Sequence, residues 1–175
     1  ILMNNLDFNG DDSYKNPSAT GTDWNGDSSN AETIKAQFTD NQGAGWLPIQ
    51  LSGKFNGNGK TISNLFVNRP NQEYQGLFGK TNGAIIQNLG LLNAVISGSD
   101  NTGALIGEAT NSSVINCYVT GSVTIQGAWY AGGLIGYAFS STITGCYSEA
   151  NITDTGEGKA IGGLAGDLID NCMLS

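Results

Sequence analysis

Two carboxylates at equivalent positions of a repeated segment are the first candidates for catalysis in this sequence. Glu108 and Asp167 each follow a corresponding glycine of the repeat. If the copies stack at about 4.8 Å, the two carboxylates lie about 9.6 Å apart, which is close to the spacing of an inverting glycosidase pair. No neighbouring residue would obviously raise the pKa of either group, so a carbohydrate-cleaving site stays an alternative.

The chain contains no histidine, and this removes whole classes of hydrolase. Ser-His-Asp and Cys-His nucleophile systems and His-bearing zinc sites all need imidazole. Seven basic residues against 15 acidic ones give a net charge of −8, so nucleic acid is excluded as a partner for want of phosphate-neutralising side chains. No apolar run reaches the roughly 20 residues that span a bilayer. We therefore expect no membrane insertion and no enzymatic activity.

Acidic and amide side chains suggest one metal site. Asp23, Asn25 and Asp27 have the spacing that opens a calcium-binding loop. The twelfth position of that loop is Ile34, where a bidentate Glu would be needed. Calcium is thus the one cofactor that the sequence suggests, and no other is predicted.

A repeat of 28 to 30 residues organises the sequence. Glycine-bounded segments recur at residues 75–79, 103–107, 132–136 and 162–166. Each period contains short apolar runs that cannot bury themselves alone, which predicts an all-β fold, a parallel β-solenoid of about six turns. We expect one domain over residues 1–175, with a first turn in 1–8, a loop excursion in 9–44 and repeats in 45–175. The chain is expected to be a fragment or processed part of a larger protein.

Equivalent residues of successive copies are predicted to stack in columns. The apolar positions on either side of a recurring Asn are out of strand phase, so this Asn is placed at a corner. The corner column, a hydrogen-bonded structural ladder, is predicted to contain Asn64, Asn88, Asn116 and Asn171. The next column is predicted to contain, as small buried thiols, Cys117, Cys146 and Cys172. A further apolar column seven residues on is predicted to contain Val95, Val123 and Ile152.

Aromatic residues supply the candidate binding surface. An outward column two residues after the corner is predicted to contain Phe66, Tyr118, Tyr147 and Met173. Trp129 and Tyr130 are expected in a loop between strands. Exposed rings can stack on sugars or contact a partner, or the loop excursion can cover them. Host or surface glycans are therefore candidate partners.

The segments GGLIG, INCYVTGSV and GGLAG, with FNGNGKTISNLFV upstream, resemble the GLUG-motif repeats of bacterial surface and secreted proteins. The resemblance covers about residues 45–175 and implies a right-handed β-helix similar to adhesin stalks. Such repeats also occur in non-catalytic parts of immunoglobulin-cleaving metalloproteases. A chain without histidine has no HExxH motif, so the protease activity is not implied.

The leading hypothesis is a non-catalytic β-solenoid, extracellular or at the cell surface, that acts as a structural or adhesion module. Its open strand edges would be covered by other domains or by copies stacked end to end, which could form filaments. One alternative is a β-helix that binds or cleaves carbohydrate. Another is an ice-binding solenoid, for which Thr124 and Thr153 are expected in one outward row that Ile96 interrupts.

Overall fold

The structure is a computed structural model that describes residues 1–8, 44–120, 124–127, 129–154 and 160–175. These residues form 20 β-strands, all but two of which are two to five residues long. In chain order the strands are β1 (Leu6–Asp7), β2 (Ile49–Leu51), β3 (Lys54–Ser63), β4 (Phe66–Asn68), β5 (Phe78–Asn82), β6 (Ile85–Leu92), β7 (Val95–Ser97), β8 (Thr102–Gly103), β9 (Ile106–Thr110), β10 (Ser113–Ile115), β11 (Tyr118–Thr120), β12 (Thr124–Gly127), β13 (Tyr130–Gly132), β14 (Ile135–Phe139), β15 (Thr142–Thr144), β16 (Tyr147–Ser148), β17 (Asn151–Asp154), β18 (Ala160–Gly162), β19 (Ala165–Ile169) and β20 (Met173–Leu174). Apart from Ala44, the predicted loop 9–44 lies outside the described residues.

The strands belong to four sheets, and every strand pairing within them is parallel. Sheet A contains β1, β3, β6, β10, β11, β15, β16 and β20; sheet B contains β4, β7, β12 and β17; sheet C contains β2, β5, β9, β14 and β19; and sheet D contains β8, β13 and β18. The chain passes through sheets C, A, B and D in turn and then returns to sheet C. The predicted all-β parallel solenoid is therefore confirmed.

The number of complete turns is smaller than predicted. The described residues make four complete turns, the first beginning at β2 and the fourth ending at β18. β1 precedes them, and β19 and β20 follow, as parts of incomplete turns. The expected six turns counted these partial turns as whole ones, because a recurring sequence motif marks one corner and does not show whether all four sheets are present.

Stacked aliphatic side chains fill the interior. The Leu105 N–H donates to the Leu134 carbonyl oxygen at 3.0 Å, and the Leu134 N–H donates to Leu164 at 2.8 Å, so the three leucines lie one above the other as the repeat predicts. Leu105 and Leu134 are at most 1% exposed. Each such burial stabilises the fold by about 1.5–3 kcal/mol.

Two predicted columns have the wrong register. Ile96 is level with Ile125, and Ile125 with Ile152, so the inward column of sheet B starts from Ile96, while Val95 is 41% exposed. Thr124 pairs with Asn151 and Thr153 with Gln126, so the threonine row that an ice-binding face would need does not form.

The physical reason is variable loop length. The inward residue of sheet B lies eight residues after Asn88, nine after Asn116 and seven after Gly145. A fixed sequence offset therefore slips by one residue between turns, and a slip of one residue exchanges the two faces of a strand. Val123 lies outside the described residues.

Candidate functional site

One corner of each turn carries the predicted asparagine ladder. Asn88 and Asn116 have φ values of 56° and 50°, and Gly145 occupies the same corner one turn later at 61°. Asparagine tolerates this left-handed conformation because its short side chain bonds locally. Asn116 Nδ2 donates to Asn88 Oδ1 at 3.4 Å, and Asn88 Nδ2 donates to Asn56 Oδ1 at 3.4 Å.

Asn64 and Asn171 belong to other corners, contrary to the predicted single column. Ser63 pairs with Leu92, so Asn64 is level with Asn93. Met173 pairs with Thr142, which places Asn171 level with Ser140. Asn171 follows its glycine segment by five residues, whereas Asn88 and Asn116 follow theirs by nine, and the chain has reached only the first corner after that segment.

Replacement of Asn116 tests the conformational requirement at this corner. We expect Asn116→Ala to lower the free energy of unfolding by about 1–2 kcal/mol, because a non-glycine residue with a Cβ is strained at this φ. Asn116→Gly should have a smaller effect, since Gly145 fills the equivalent position. Urea denaturation measures both; equal losses for the two variants would contradict the backbone explanation.

The cysteines occupy two corners instead of one. Cys117 and Cys146 are neighbours in one column, and the Cys117 N–H donates to Cys146 Sγ at 3.3 Å. Cys172 is level with Ser141, again because β20 aligns with β15. All three are free thiols. The hydrogen bond from the Cys117 thiol to Cys146, together with burial, raises the pKa of Cys117, while accepting that bond lowers the pKa of Cys146 to about 7.

A second ladder, which the sequence analysis missed, runs through the corner that contains Cys172. The Ala84 N–H donates to Ser112 Oγ at 3.1 Å, the Ser112 N–H to Ser141 Oγ at 3.0 Å, and the Ser141 N–H to Cys172 Sγ at 3.4 Å. Each side chain thus satisfies a backbone donor of the preceding turn. The available signal was a small polar residue 29 positions apart, at Ser112 and Ser141.

Removal of one hydroxyl tests this second ladder. Ser141→Ala leaves the buried Ser112 N–H without its acceptor and should lower the free energy of unfolding by about 1–3 kcal/mol. Ser141→Cys should cost less, because Cys172 performs the same role one turn later. Ser113→Ala is the matched control, and a loss there as large as for Ser141→Ala would contradict this role. The measurement is chemical denaturation with a fixed m-value.

The predicted aromatic residues lie on three different sheets. Tyr118 and Tyr147 pair in sheet A with ring centroids 5.3 Å apart and planes at 6°, and Tyr147 is 51% exposed. Phe66 lies in sheet B, level with Val95. Met173 pairs with Thr142 and so lies at a different position in sheet A from the tyrosines. The predicted four-residue column is therefore reduced to one tyrosine pair, because only that pair has the same corner spacing in both turns.

Trp129 and Tyr130 lie beside the row of charged residues on sheet C. Trp129 is 43% exposed and directly precedes β13, which begins at Tyr130. The Tyr130 ring is 5.4 Å from the ring of Tyr137. Tyr137 stands between Glu108 and Asp167 in the stacked register, as the predicted row requires.

The carboxylates of this row are not arranged as a catalytic pair. Glu108 Oε1 is 3.7 Å from Lys80 Nζ, and its Oε2 accepts a hydrogen bond from Asn101 Nδ2 at 3.0 Å. Burial, followed by the charges of Asp167 and Glu108, raises the pKa of Tyr137. A tyrosine side chain therefore occupies the level between the two carboxylates, where an inverting pair would hold a water molecule.

The predicted calcium ligands Asp23, Asn25 and Asp27 lie outside the described residues. Among the residues that the structure does describe, no three His, Cys, Asp or Glu side chains form a group that could hold a metal ion. The same part of the chain contains no helix long and apolar enough to cross a membrane.

The geometry defines a parallel β-solenoid with a filled aliphatic interior and hydrogen-bonded corner ladders. Residues 98–124 and 127–153 each match the model of the GLUG motif. These two segments are GLUG repeats, which confirms the resemblance seen in the glycine segments.

Two comparisons with individual proteins accompany this match. The chain is 41% identical over 83 residues to halomucin of Haloquadratum walsbyi (strain DSM 16790 / HBSQ001), which is 46% of this chain and 1% of halomucin. A crystal structure of a Bacteroides ovatus protein assigned as an immunoglobulin A1 protease aligns with 81% of this chain and 62% of its own, at 16% identity and a TM-score of 0.42. So low a TM-score supports no statement about function.

Proposed function

We propose that this chain is a non-catalytic structural module of a secreted or surface protein, in which the solenoid acts as a stiff spacer or adhesion scaffold. The observation that carries the proposal is the filled interior. From Val67 to Leu134 the inward positions are aliphatic and fully buried, so the turns enclose no ligand-sized space. Stacked turns of this kind resist bending because each rests on its neighbours over four sheets.

The surface chemistry agrees with this role. A shallow depression lined by Ile1, Lys54, Phe55, Asn56, Ile85 and Gln87 contains a single ionisable side chain, Lys54. The acidic row on sheet C is partly neutralised by Lys80. Neither place combines a nucleophile with a base, which acyl or glycosyl transfer requires.

The similarity to halomucin supports the surface location, since a mucin-like name denotes a protein outside the cell. The experiment is antibody labelling of the producing cells and assay of their medium, with a cytoplasmic protein as control. We expect signal on intact cells or in the medium. Signal that appears only after permeabilisation, together with the cytoplasmic control, would refute the proposed location.

A glycan-binding module is the second candidate, favoured by the grouping of Tyr130, Tyr137 and the carboxylates beside them. Aromatic rings next to carboxylates and an amide are suited to stacking on and hydrogen bonding to sugars. We expect glycan binding, if present, to be lost in Tyr137→Ala and kept in Tyr147→Ala, whose ring lies on sheet A. Calorimetry against a polysaccharide panel measures it, and equal binding by both variants would exclude the sheet C face.

A further inference from the structure

The two ends of the solenoid differ, and the N-terminal end is closed by aromatic side chains. Phe8, Trp46 and Phe55 pack against the buried core. The rings of Phe8 and Trp46 are 5.7 Å apart, and Phe55 meets Phe78 edge-on at 5.3 Å. Trp46 Nε1 donates to the Leu77 carbonyl oxygen at 3.0 Å, which fixes the indole over the first complete turn. Large rings at this end therefore cover aliphatic surface that an open end would expose.

A chain segment also covers one strand edge at the N-terminal end. Gly45 bridges Val67 in the antiparallel sense, the Trp46 N–H donates to Phe66 O at 2.8 Å, and the Asn68 N–H donates to Ala44 O at 2.9 Å. Buried Arg69 donates from Nε to the Trp46 carbonyl at 3.2 Å. Because this segment runs against the direction of the sheets, no parallel turn can add to β4 here. The N-terminal end is capped.

The C-terminal end has no comparable cover among the described residues. Its last strands, β17 to β20, are the final members of their sheets and present free edges. Five aliphatic side chains in these strands are 38–62% exposed: Ile161, Leu168, Ile169, Met173 and Leu174. A contiguous set of exposed aliphatic residues on strand edges is typical of an interaction surface.

The corner ladders show which structure would complete this end. In every turn a corner N–H donates to the small side chain of the following turn, as from Cys117 to Cys146 and from Ser141 to Cys172. Both ladders therefore run in one direction along the axis. The next acceptors would be small Ser or Cys side chains above the N–H groups of Cys146 and Cys172. Tyr147 likewise stacks on Tyr118 and presents its other face to the same end.

We propose that the C-terminal face is a docking surface for a further parallel β-turn of the GLUG type, with Ser or Cys at its two corners and aliphatic residues inside. The inference deepens the proposed structural role and rests on it. A second copy does not fit, because its N-terminal end is capped. Two C-terminal faces in contact would oppose Asp167 and Asp170 to their own equivalents, and like charges repel at such distances.

The test supplies such a turn in register. Ser175 is level with Thr144, since the Gly145 N–H donates to the Ser175 carbonyl at 2.8 Å. A copy of residues 116–144 added after Ser175 therefore places a Cys117 equivalent above Cys146 and a Ser141 equivalent above Cys172. The matched control carries the same extension with its inward Leu134 equivalent changed to Asp. Hydrogen exchange of the Cys146 and Cys172 amides is measured in the original chain, the extended chain and the control.

We expect exchange of both amides to slow at least about 100-fold in the extended chain and to remain fast in the other two. Equal exchange in the extended chain and the control would overturn the proposal. Protection of the original chain that rises with its concentration would overturn it in favour of a second copy. Surface labelling of cells does not depend on this outcome, so the docking proposal and the proposed location can fail separately.

Discussion

Leu134→Asp should abolish folding of the chain. Leu134 has no exposed surface and lies between Leu105 and Leu164 in the stack. An aspartate there is a buried charge without a partner, or a protonated acid without a hydrogen bond, and its burial removes several kcal/mol. A domain has only about 5–15 kcal/mol of stability in total. We expect loss of the β-sheet circular dichroism signal at 25 °C and an expanded elution volume.

Tyr147→Ser is the matched control for this substitution. The Tyr147 ring is half exposed and stacks only on Tyr118, so its loss should lower stability by about 0.5–1.5 kcal/mol and leave the fold intact. A folded Leu134→Asp variant with the thermal midpoint of the original chain would contradict the aliphatic interior. Unfolding of Tyr147→Ser would show that the outer tyrosine pair contributes more than its burial indicates.

Gly132→Ala should destabilise the chain by roughly 3 kcal/mol or more. A Cβ at this position would meet the carbonyl oxygen of Ile135 and would lie 2.6 Å from the Gly166 nitrogen and 2.8 Å from the Ala165 Cα. All three are backbone atoms, so no side-chain rotation relieves the clash, and the turns of sheets C and D must separate. Urea denaturation at constant m-value measures the loss.

Gly163→Ala provides the control for the glycine substitution. A Cβ at Gly163 meets nothing within 4 Å, although this residue belongs to the same glycine-rich segment type. Its stability should change by less than about 0.5 kcal/mol. Equal effects at the two positions would show that the glycines act through chain flexibility and not through close approach of the backbone.

These glycines illustrate how the repeat could be recognised without its physical cause. Their spacing indicated a solenoid, because equivalent residues of stacked turns recur with one period. Their role appears only when the turns are assembled. Gly136 faces the Asn101 and Thr102 backbone of the preceding turn, and Gly166 faces Tyr130 and Ala131 in the same way. Close approach between turns, rather than a left-handed backbone, excludes side chains there.

Corner assignment shows the opposite situation, in which a clear sequence pattern gave wrong neighbours. Cys172 follows an asparagine just as Cys117 does, yet it stacks above Ser141. The Asn-Cys pair can serve at either corner, since both need a left-handed residue followed by a small hydrogen-bonding side chain. The sequence offers no local difference between the two corners. The distance from the glycine segment, five residues instead of nine, was the relevant signal.

The sequence by itself determined the fold class, the parallel stacking of the leucine columns and the GLUG repeats. These follow from a period near 29 residues and from the need of each turn to bury its apolar side against the next. Only the tertiary structure decided which residues become neighbours at the corners, and that one end is capped by Phe8, Trp46 and Phe55 while the other presents free edges. Those outcomes depend on loops that differ by one or two residues between turns, and on contacts between segments about 40 residues apart, neither of which a local pattern records.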